Sequence, residues 1–490
     1  MKDFLCKVSM HITDIISTIK EYKPEADTSL LELAYEFACD AHKGQMRKNG
    51  EEYIQHCLAT AYRLAKIHMD ESTIIAGLLH DVLDETRITA DELEKNFGKD
   101  VAQLVTGVSK LGNIKYRGIE RYAEDLRKMF VSIAHDIRII LIKFADRYHN
   151  LETLDVLPVD KRYRIAREVL EIYCPIADRL GIWYMKSKLE DLAYPYVYPN
   201  EFSKMHGSVS PLLEGKEQYI EDVKDMIEQK LRAQGIVPIL FERRVKTLHS
   251  IYRKMIKKEL SSVEGIYDIV ALRVVVSTVA DCYATLGIIH QYWRPFPGRI
   301  KDYIAQPKPN NYRALHTTVF FEKGEIIELQ IQTPEMHAQA KFGIAAHWHY
   351  DESQKRSRQI TENLDWLQEI VRLWNEKEEA GDESFQSVAL DLFKNRIFVF
   401  TPKGDVINLS EDATPIDFAY AIHSDIGRRC AGAKINNQLQ PLDSTLRSGD
   451  VVEILIEKNR KSPSPAWLAF AKTTLARTKI RIQMKETNRL

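Results

Sequence analysis

The sequence has no long apolar run, no paired cysteines and no surplus of charge. Nowhere do 18 apolar residues follow one another, so nothing reads as a membrane span. The N-terminal stretch MKDFLCKVSMHITDIISTIK is charged and amphipathic, unlike a secretory leader. Six cysteines (Cys6, Cys39, Cys57, Cys174, Cys282 and Cys430) are scattered with no CxxC spacing. They read as buried thiols of a reducing cytoplasm, which argues against disulfides and a zinc site. Lys+Arg number 69 and Asp+Glu 70, for a net charge of -1. That balance excludes a uniformly basic nucleic-acid binder and an acidic disordered chain, so any polyanion site must be a local patch. Neither GxxxxGK[ST] nor GxGxxG occurs, which excludes a P-loop and a dinucleotide fingerprint. There is no internal repeat and no low-complexity tract.

What is present is 490 residues with 44% hydrophobic and 28% charged side chains, enough for about three globular domains. The first 200 residues read as helical: LLELAYEFACDAH, STIIAGLLHDVLDE and the stretch from Val131 to Leu154 repeat apolar residues at helical spacing. From about residue 235 the pattern changes. YDIVALRVVV is a β-branched run suited to a buried strand, and LHTTVFFE and EIIELQIQT follow as strands. In the last, Ile327, Leu329 and Ile331 face one way and Glu328, Gln330 and Gln332 the other. Residues 351 to 394 are charged and read as a helical connector. RIFVFTPKGDVINL then predicts a hairpin, ATPIDFAYAIHSDIG a helix ending at glycine, and GDVVEILI a final strand. The tail from Ser462 begins a helix with no predicted partner.

Two constellations carry chemistry. His80 and Asp81 end an apolar helix, His56 lies one helix earlier, and Asp146 lies in KFADRYHN with Asn150 one turn on. Two histidines and two aspartates make a mixed nitrogen and oxygen set suited to Mn²⁺, Fe²⁺ or Zn²⁺, and such a site can activate water against a phosphate. Asp84 and Glu85 follow one turn later, and Arg47 and Lys48 are placed to hold an anionic leaving group. The second constellation is FERRVKTLHSIYRKMIKKEL, seven cations against two acids, followed by Asp268, GRIKDYIAQPKPNNYRALH and Glu328. Its cations can neutralise several phosphates, and its two carboxylates can hold Mg²⁺ and take a proton from a sugar hydroxyl. Tyr312 follows the turn pair Asn310-Asn311, which presents its ring for stacking on a base.

HKGQMRKNGEEYIQH, LLHDVLDET and KFADRYHN resemble the HD-type hydrolase domain of RelA/SpoT homologues. RVKTLHSIYRK, GRIKDYIAQPKPNNYRALHTTV, IELQIQT and GIAAHWHY resemble the same family's pyrophosphokinase domain. IFVFTPKGDVINL through GDVVEILI resembles its TGS domain, a β-grasp module. The resemblance implies a multidomain α+β chain. An all-α hydrolase domain spans 1–200, a mixed α/β nucleotidyltransferase-like synthetase domain 201–350, a connector 351–394, a TGS domain 395–457, and the start of a further helical domain 458–490. It implies a bifunctional cytoplasmic enzyme of the stringent response. One site moves the β,γ-pyrophosphate of ATP to the 3′-hydroxyl of GDP or GTP, and the other hydrolyses (p)ppGpp.

Carried over residue by residue, His56, His80, Asp81 and Asp146 hold Mn²⁺, while Arg47, Lys48, Asn150 and Thr153 bind the nucleotide. Asp84 and Glu85 are implied catalytic acids, in the reverse of the family's usual Glu-Asp order. Asp268 and Glu328 are implied to hold Mg²⁺, and Glu328 to activate the hydroxyl. Arg244, Lys246, Lys254, Lys301, Lys308 and His316 are implied phosphate contacts, with Asn310, Tyr312 and Gln330 completing the substrate site. Asn311 stands where the family usually has glycine, and Gln332 where it usually has arginine. Arg299-Ile300-Lys301-Asp302 resembles the bifunctional class. His423 is the implied contact to uncharged tRNA on the ribosome. A synthetase with an impaired hydrolase, or a ribosome and tRNA adaptor without catalysis, are the alternatives.

Overall fold

The computed structural model describes residues 10–112, 129–214, 216–266, 268–308, 310–321, 325–346, 396–447, 449–457, 460 and 462–487. The predicted connector, 351–394, lies outside them, as does Cys6. The chain divides into two compact units, residues 1–115 with 128–368, and residues 116–127 with 369–490.

The first unit opens with helices α1 (Ile12–Tyr22), α2 (Ser29–Ala41), α3 (Tyr53–Lys66), α4 (Glu71–Leu78), α5 (Val82–Glu85), α6 (Ala90–Gly112, kinked at Gly98) and α7 (Arg138–Glu152). α8 (Val159–Glu168), α9 (Cys174–Arg179), α10 (Trp183–Val197), α11 (Pro199–Glu214) and α12 (Glu217–Ala233) follow. Asp70 starts α4 by accepting the Thr73 N–H, the usual service of an aspartate N-cap. α3, α4 and α7 bury Leu58, Leu64, Ile75, Leu78, Ile140 and Phe144 together. Each such side chain contributes about 1.5–3 kcal/mol.

The second half of this unit is a five-stranded sheet of order β1-β2-β5-β4-β3. Its strands are β1 (Leu240–Val245), β2 (Val270–Val275), β3 (Lys301–Asp302), β4 (Leu315–Phe320) and β5 (Ile326–Gln332). β2 and β5 run parallel and the other pairs antiparallel. α13 (Leu248–Lys257) joins β1 to β2, α14 (Val279–Tyr292) follows β2, and α15 (Pro334–Phe342) follows β5. The alternation read in β5 is real: Ile327, Leu329 and Ile331 enter the core with Leu272, Val274, Ile220 and Ile227. The opposite face is also covered, because Gln330 and Gln332 are fully buried.

In the second unit, β6 (Arg396–Phe400) and β7 (Val406–Ser410) form the expected hairpin. α16 (Pro415–Ile422) ends one residue before His423, whose extended backbone then caps α17 (Ser424–Arg428). The predicted single helix is thus two, because the His423 side chain takes the Asp425 N–H and starts the second. β8 (Cys430–Ile435), β9 (Gln438–Gln440) and β10 (Val452–Ile456) form a second sheet of order β10-β8-β9. The tail, in contrast to the expectation, has a partner. Trp467, Ala471, and Ala476 and Ile480 of α18 (Thr474–Thr487) pack on Ile416, Ala419 and Tyr420. The buried Asp417 carboxylate accepts from the Lys472 and Thr473 backbone N–H groups and from the Thr473 hydroxyl.

Candidate functional sites

The first site forms where α3, the α4–α5 corner and α7 meet. His56 lies in the first turn of α3 and Asp146 in the middle of α7. His80 and Asp81 occupy the corner where α4 stops and α5 starts, so two adjacent residues can turn to one point. His56 Nε2 lies 3.4 Å from both Asp81 Oδ2 and Asp146 Oδ1. His80 Nε2 lies 3.3 Å from Asp81 Oδ2 and 3.8 Å from Asp146 Oδ1. His56, His80 and Asp146 are at most 4% exposed.

The surrounding hydrogen bonds orient these groups. His80 Nδ1 faces the Gly77 carbonyl at 2.8 Å, so it donates and leaves Nε2 aimed into the cluster. His80 Nε2 is buried and has no hydrogen-bond partner among the described residues. His56 Nδ1 lies 2.8 Å from His149 Nδ1, and Arg47 donates to that same His149 nitrogen at 2.9 Å. His149 Nδ1 therefore accepts, and His56 Nδ1 carries the proton, which frees His56 Nε2 for the cluster. Burial, then the charges of His56, Arg63 and Arg47, push the His149 imidazole down to about 2, which keeps it neutral. Tyr53 donates to Asp81 at 2.8 Å, and Asn150 and Lys143 donate to Asp146 at 2.5 and 3.2 Å.

Burial alone would depress His80, but the Asp81 and Asp146 carboxylates prevail and raise it to about 10. Both carboxylates lie well below their ordinary range, because the histidines, and Lys143 beside Asp146, outweigh burial. A field that favours a proton on His80 this strongly also favours a divalent cation. The orphaned His80 nitrogen and the donor set of two imidazoles and two carboxylates fit such an ion.

Arg47 also donates to Asn150 Oδ1 at 2.6 Å, and Thr153 donates to the His149 carbonyl at the end of α7. Lys48 is exposed. Asp84 is exposed and accepts from Ser109 at 2.5 Å, while burial and the Asp81 and Asp84 charges raise Glu85. Tyr53, Lys143 and His149 were missed by the sequence reading, although His149 follows Asp146 by three residues on one helix face.

The second site lies on the covered polar face of the sheet. Strand register puts Glu242, Arg273, Gln330, His316 and Lys301 in one row across all five strands. One step along, Arg244, Ala271, Glu328 and Thr318 form the next row. Asp268 stands just before β2 at the same end. Lys246 donates to Asp268 Oδ2, and Lys254 reaches both its oxygens at 2.6 Å. Burial would raise Asp268, but these two ammoniums hold it well below the usual range. Burial in turn pushes Lys246 down to about 8 despite Asp268.

Glu328 accepts from Gln330 at 2.8 Å and lies 3.5 Å from His316 Nδ1, and these neighbours overcome burial to bring it down to about 2. His316 Nε2 pairs with the Tyr312 hydroxyl at 2.8 Å. The Lys308 ammonium sits over the Tyr303 and Tyr312 rings at 4.6 and 4.9 Å, and burial with Arg244 and Lys301 pushes it down to about 8. Asn310 spends its amide on the Asp178 carbonyl and the Tyr312 N–H. Asn311 takes φ 55°, the left-handed backbone that asparagine tolerates where glycine is usual. Gln332 donates to the Arg313 carbonyl at 2.8 Å, so its amide fastens a loop. The sequence reading missed Arg273, which is 3% exposed and paired with Glu242 at 2.5 Å. His423, in the second unit, is exposed.

Three family models match in succession: an HD domain over residues 34–183, a region found in RelA / SpoT proteins over 243–355, and a TGS domain over 397–456. A GTP pyrophosphokinase of Myxococcus xanthus is 43% identical over 96% of this chain and 62% of its own. A guanosine-3′,5′-bis(diphosphate) 3′-pyrophosphohydrolase of Aquifex aeolicus is 43% identical over 97% of this chain and 67% of its own. A bifunctional (p)ppGpp synthase/hydrolase of Escherichia coli is 44% identical over 96% and 67%. The chain thus spans about two thirds or less of the length of these relatives.

Proposed function

This chain belongs to the RelA/SpoT family, and from that premise we propose that it both makes and degrades (p)ppGpp. The observation that supports this best is the presence, in one chain, of two separate and differently built centres. One gathers two imidazoles and two carboxylates at a buried point. The other sets two ionised carboxylates among lysines on a sheet.

In the hydrolase centre, His56, His80, Asp81 and Asp146 would hold the divalent cation, assigned here as Mn²⁺. Bound there, the ion supplies Lewis acidity and a water of lowered pKa. Arg47, Lys48, Asn150 and Thr153 hold the nucleotide, and Arg47 is kept in place by His149 and Asn150. Glu85, raised by burial and its acidic neighbours, is suited to pass a proton to the departing group, with Asp84 beside it.

In the synthetase centre, Arg244, Lys246, Lys254, Lys301, Lys308 and His316 meet the phosphates. Asn310, Tyr312 and Gln330 shape the guanosine side, with the Tyr312 ring against the base. Asp268 and Glu328 offer the oxygen ligands that Mg²⁺ prefers, and the ion would neutralise charge on the transferred group. Glu328, fixed by Gln330, orients the 3′-hydroxyl and accepts from it. Positioning and charge neutralisation supply most of the rate in such a transfer.

The hydrolase domain spans 1–200, the synthetase 201–350 and the TGS domain 395–457, with 351–394 as connector and the tail from 462 packed on the TGS helix. The TGS unit meets uncharged tRNA on the ribosome through the exposed His423. The enzyme is cytoplasmic, and among the described residues no helix is long and apolar enough to cross a membrane. Thin-layer separation of labelled nucleotides tests the reading. ATP with GDP or GTP and Mg²⁺ should give (p)ppGpp, and (p)ppGpp with Mn²⁺ should give pyrophosphate and GDP or GTP. No turnover in either reaction would sink it.

A further inference from the structure

Residues 184–242 lie between two of the family matches, and most of α10 falls within them. Trp183, Glu190 and Tyr194 recur at steps of seven and four, so they share one face of α10. That face meets β1 and α13. The Arg244 guanidinium lies 5.3 Å from the Trp183 ring centre, and the Tyr194 ring lies 5.3 Å from His249 and 5.7 Å from Tyr252.

Between these contacts stands Glu190, 3% exposed. Its Oε2 accepts from the Thr247 hydroxyl at 2.7 Å and the Ser250 hydroxyl at 3.0 Å. Its Oε1 lies 3.4 Å from His249 Nδ1 and 4.0 Å from Lys186 Nζ. A buried carboxylate is costly unless it is satisfied in this way. Burial would raise Glu190, yet His249, Lys186 and Thr247 hold it down at about 2, so it stays ionised. It lies at the first turn of α13, where unpaired N–H groups favour negative charge.

The geometry here has a direct consequence for the neighbouring site. Thr247 caps α13 by accepting the Ser250 N–H, and the same hydroxyl donates to Glu190. One side chain therefore both starts α13 and fastens it to α10. Lys246 immediately precedes that cap, Lys254 lies in the last turn of α13, and both hold Asp268. The seat of α13 on α10 decides where these two ammoniums stand.

We propose that Glu190 is a positioning residue of the transfer site: by fixing the start of α13 it places Lys246 and Lys254 for the phosphates of the pyrophosphate donor. The inference rests on the transfer reading given above. Glu190→Ala and Glu190→Gln, in the full chain, test it through steady-state transfer from ATP to GDP, with (p)ppGpp hydrolysis and a thermal melt on the same preparations. Glu190→Ala should lower kcat for transfer about 10- to 100-fold, the scale of a small misplacement of catalytic groups. KM for ATP should rise as well, by up to about tenfold, because Lys246 and Lys254 also meet its phosphates, while hydrolysis should stay within about twofold, since the helical site does not depend on this contact. Glutamine keeps an oxygen for Thr247 and Ser250, so Glu190→Gln should restore kcat to within about fivefold of the parent. Equal falls in transfer and hydrolysis, an unchanged kcat in Glu190→Ala, or a Glu190→Gln enzyme as impaired as Glu190→Ala would each overturn the proposal. An active parent with an unaffected Glu190→Ala variant removes this inference alone, whereas a parent that makes no product removes the transfer reading and this inference with it.

Discussion

The helical centre and the sheet centre solve the storage of charge in opposite ways. In the helical centre the supporting bonds turn both histidine Nε2 atoms inward, Gly77 through His80 and His149 through His56, while Tyr53, Asn150 and Lys143 hold the aspartates in place. Its ligands are arranged before any cation arrives. In the sheet centre the reacting groups are paired with one another. Asp268 is held by Lys246 and Lys254, and Glu328 by Gln330 with His316 alongside. On the proposed reading, phosphates would draw those lysines away as Asp268 takes a metal. A preorganised centre depends on its supporting shell, whereas a self-paired centre depends on exchange of partners.

The largest expected effect is at the helical centre. His80→Ala removes a buried ligand, so hydrolysis should fall at least about 10³-fold, the rate equivalent of several kcal/mol of lost charge stabilisation. Equilibrium dialysis of Mn²⁺ against the variant should show loss of the bound ion, and retention would break the assignment. Next comes the supporting shell. His149→Leu should weaken Mn²⁺ binding about 10- to 100-fold, as loss of an outer hydrogen bond typically does. His149→Asn, whose oxygen replaces Nδ1, should recover most of the affinity. Equal affinities for leucine, asparagine and histidine at this position would mean that the His56 tautomer is set elsewhere.

The sheet centre gives a pH signature. Burial pushes the Lys308 and Lys246 ammoniums down to about 8, and a lysine attracts phosphate only while charged, so both lose that attraction as pH rises through 8. The kcat/KM for ATP should then fall above pH 8, by at most about tenfold per unit for each lysine. Lys308→Arg should make the falling limb shallower, leaving the part that belongs to Lys246, and an unchanged limb would take Lys308 out of the account. The smallest effect concerns the clamp itself. Lys254→Met should make nucleotide-free Asp268 bind Mg²⁺ roughly fivefold more tightly, the scale of one partly screened ion pair, while transfer becomes slower. Weaker Mg²⁺ binding would contradict the exchange of partners.

Much of this was legible in the sequence because the chemistry sits in short segments. EEYIQH, LLHD and KFADRYHN contained the residues that cluster in the helical centre, and the period of two in EIIELQIQT told core from site face. The left-handed backbone at Asn311 fits the glycine that the resemblance expects at that position. What escaped depends on contacts between distant segments. His149 and Tyr53 become meaningful only when α3 and α7 are packed. The tail looked unpartnered because Asp417 meets residues 472 and 473 from more than fifty positions away. The β8–β9 pair escaped because CAGAKINNQLQ alternates weakly, although Asn436 and Asn437 both take positive φ at its turn. Arg273 was hidden inside an apolar run whose β-branched neighbours suggested only a core strand.

The central claim is that one chain holds two independent centres. Its most direct test is a pair of assays, transfer from ATP to GDP and hydrolysis of (p)ppGpp, run on the parent, Asp146→Asn and Glu328→Gln. Asp146→Asn should lose hydrolysis and keep transfer, and Glu328→Gln should lose transfer and keep hydrolysis. If either single substitution abolishes both reactions, the two centres are not the separate sites described here.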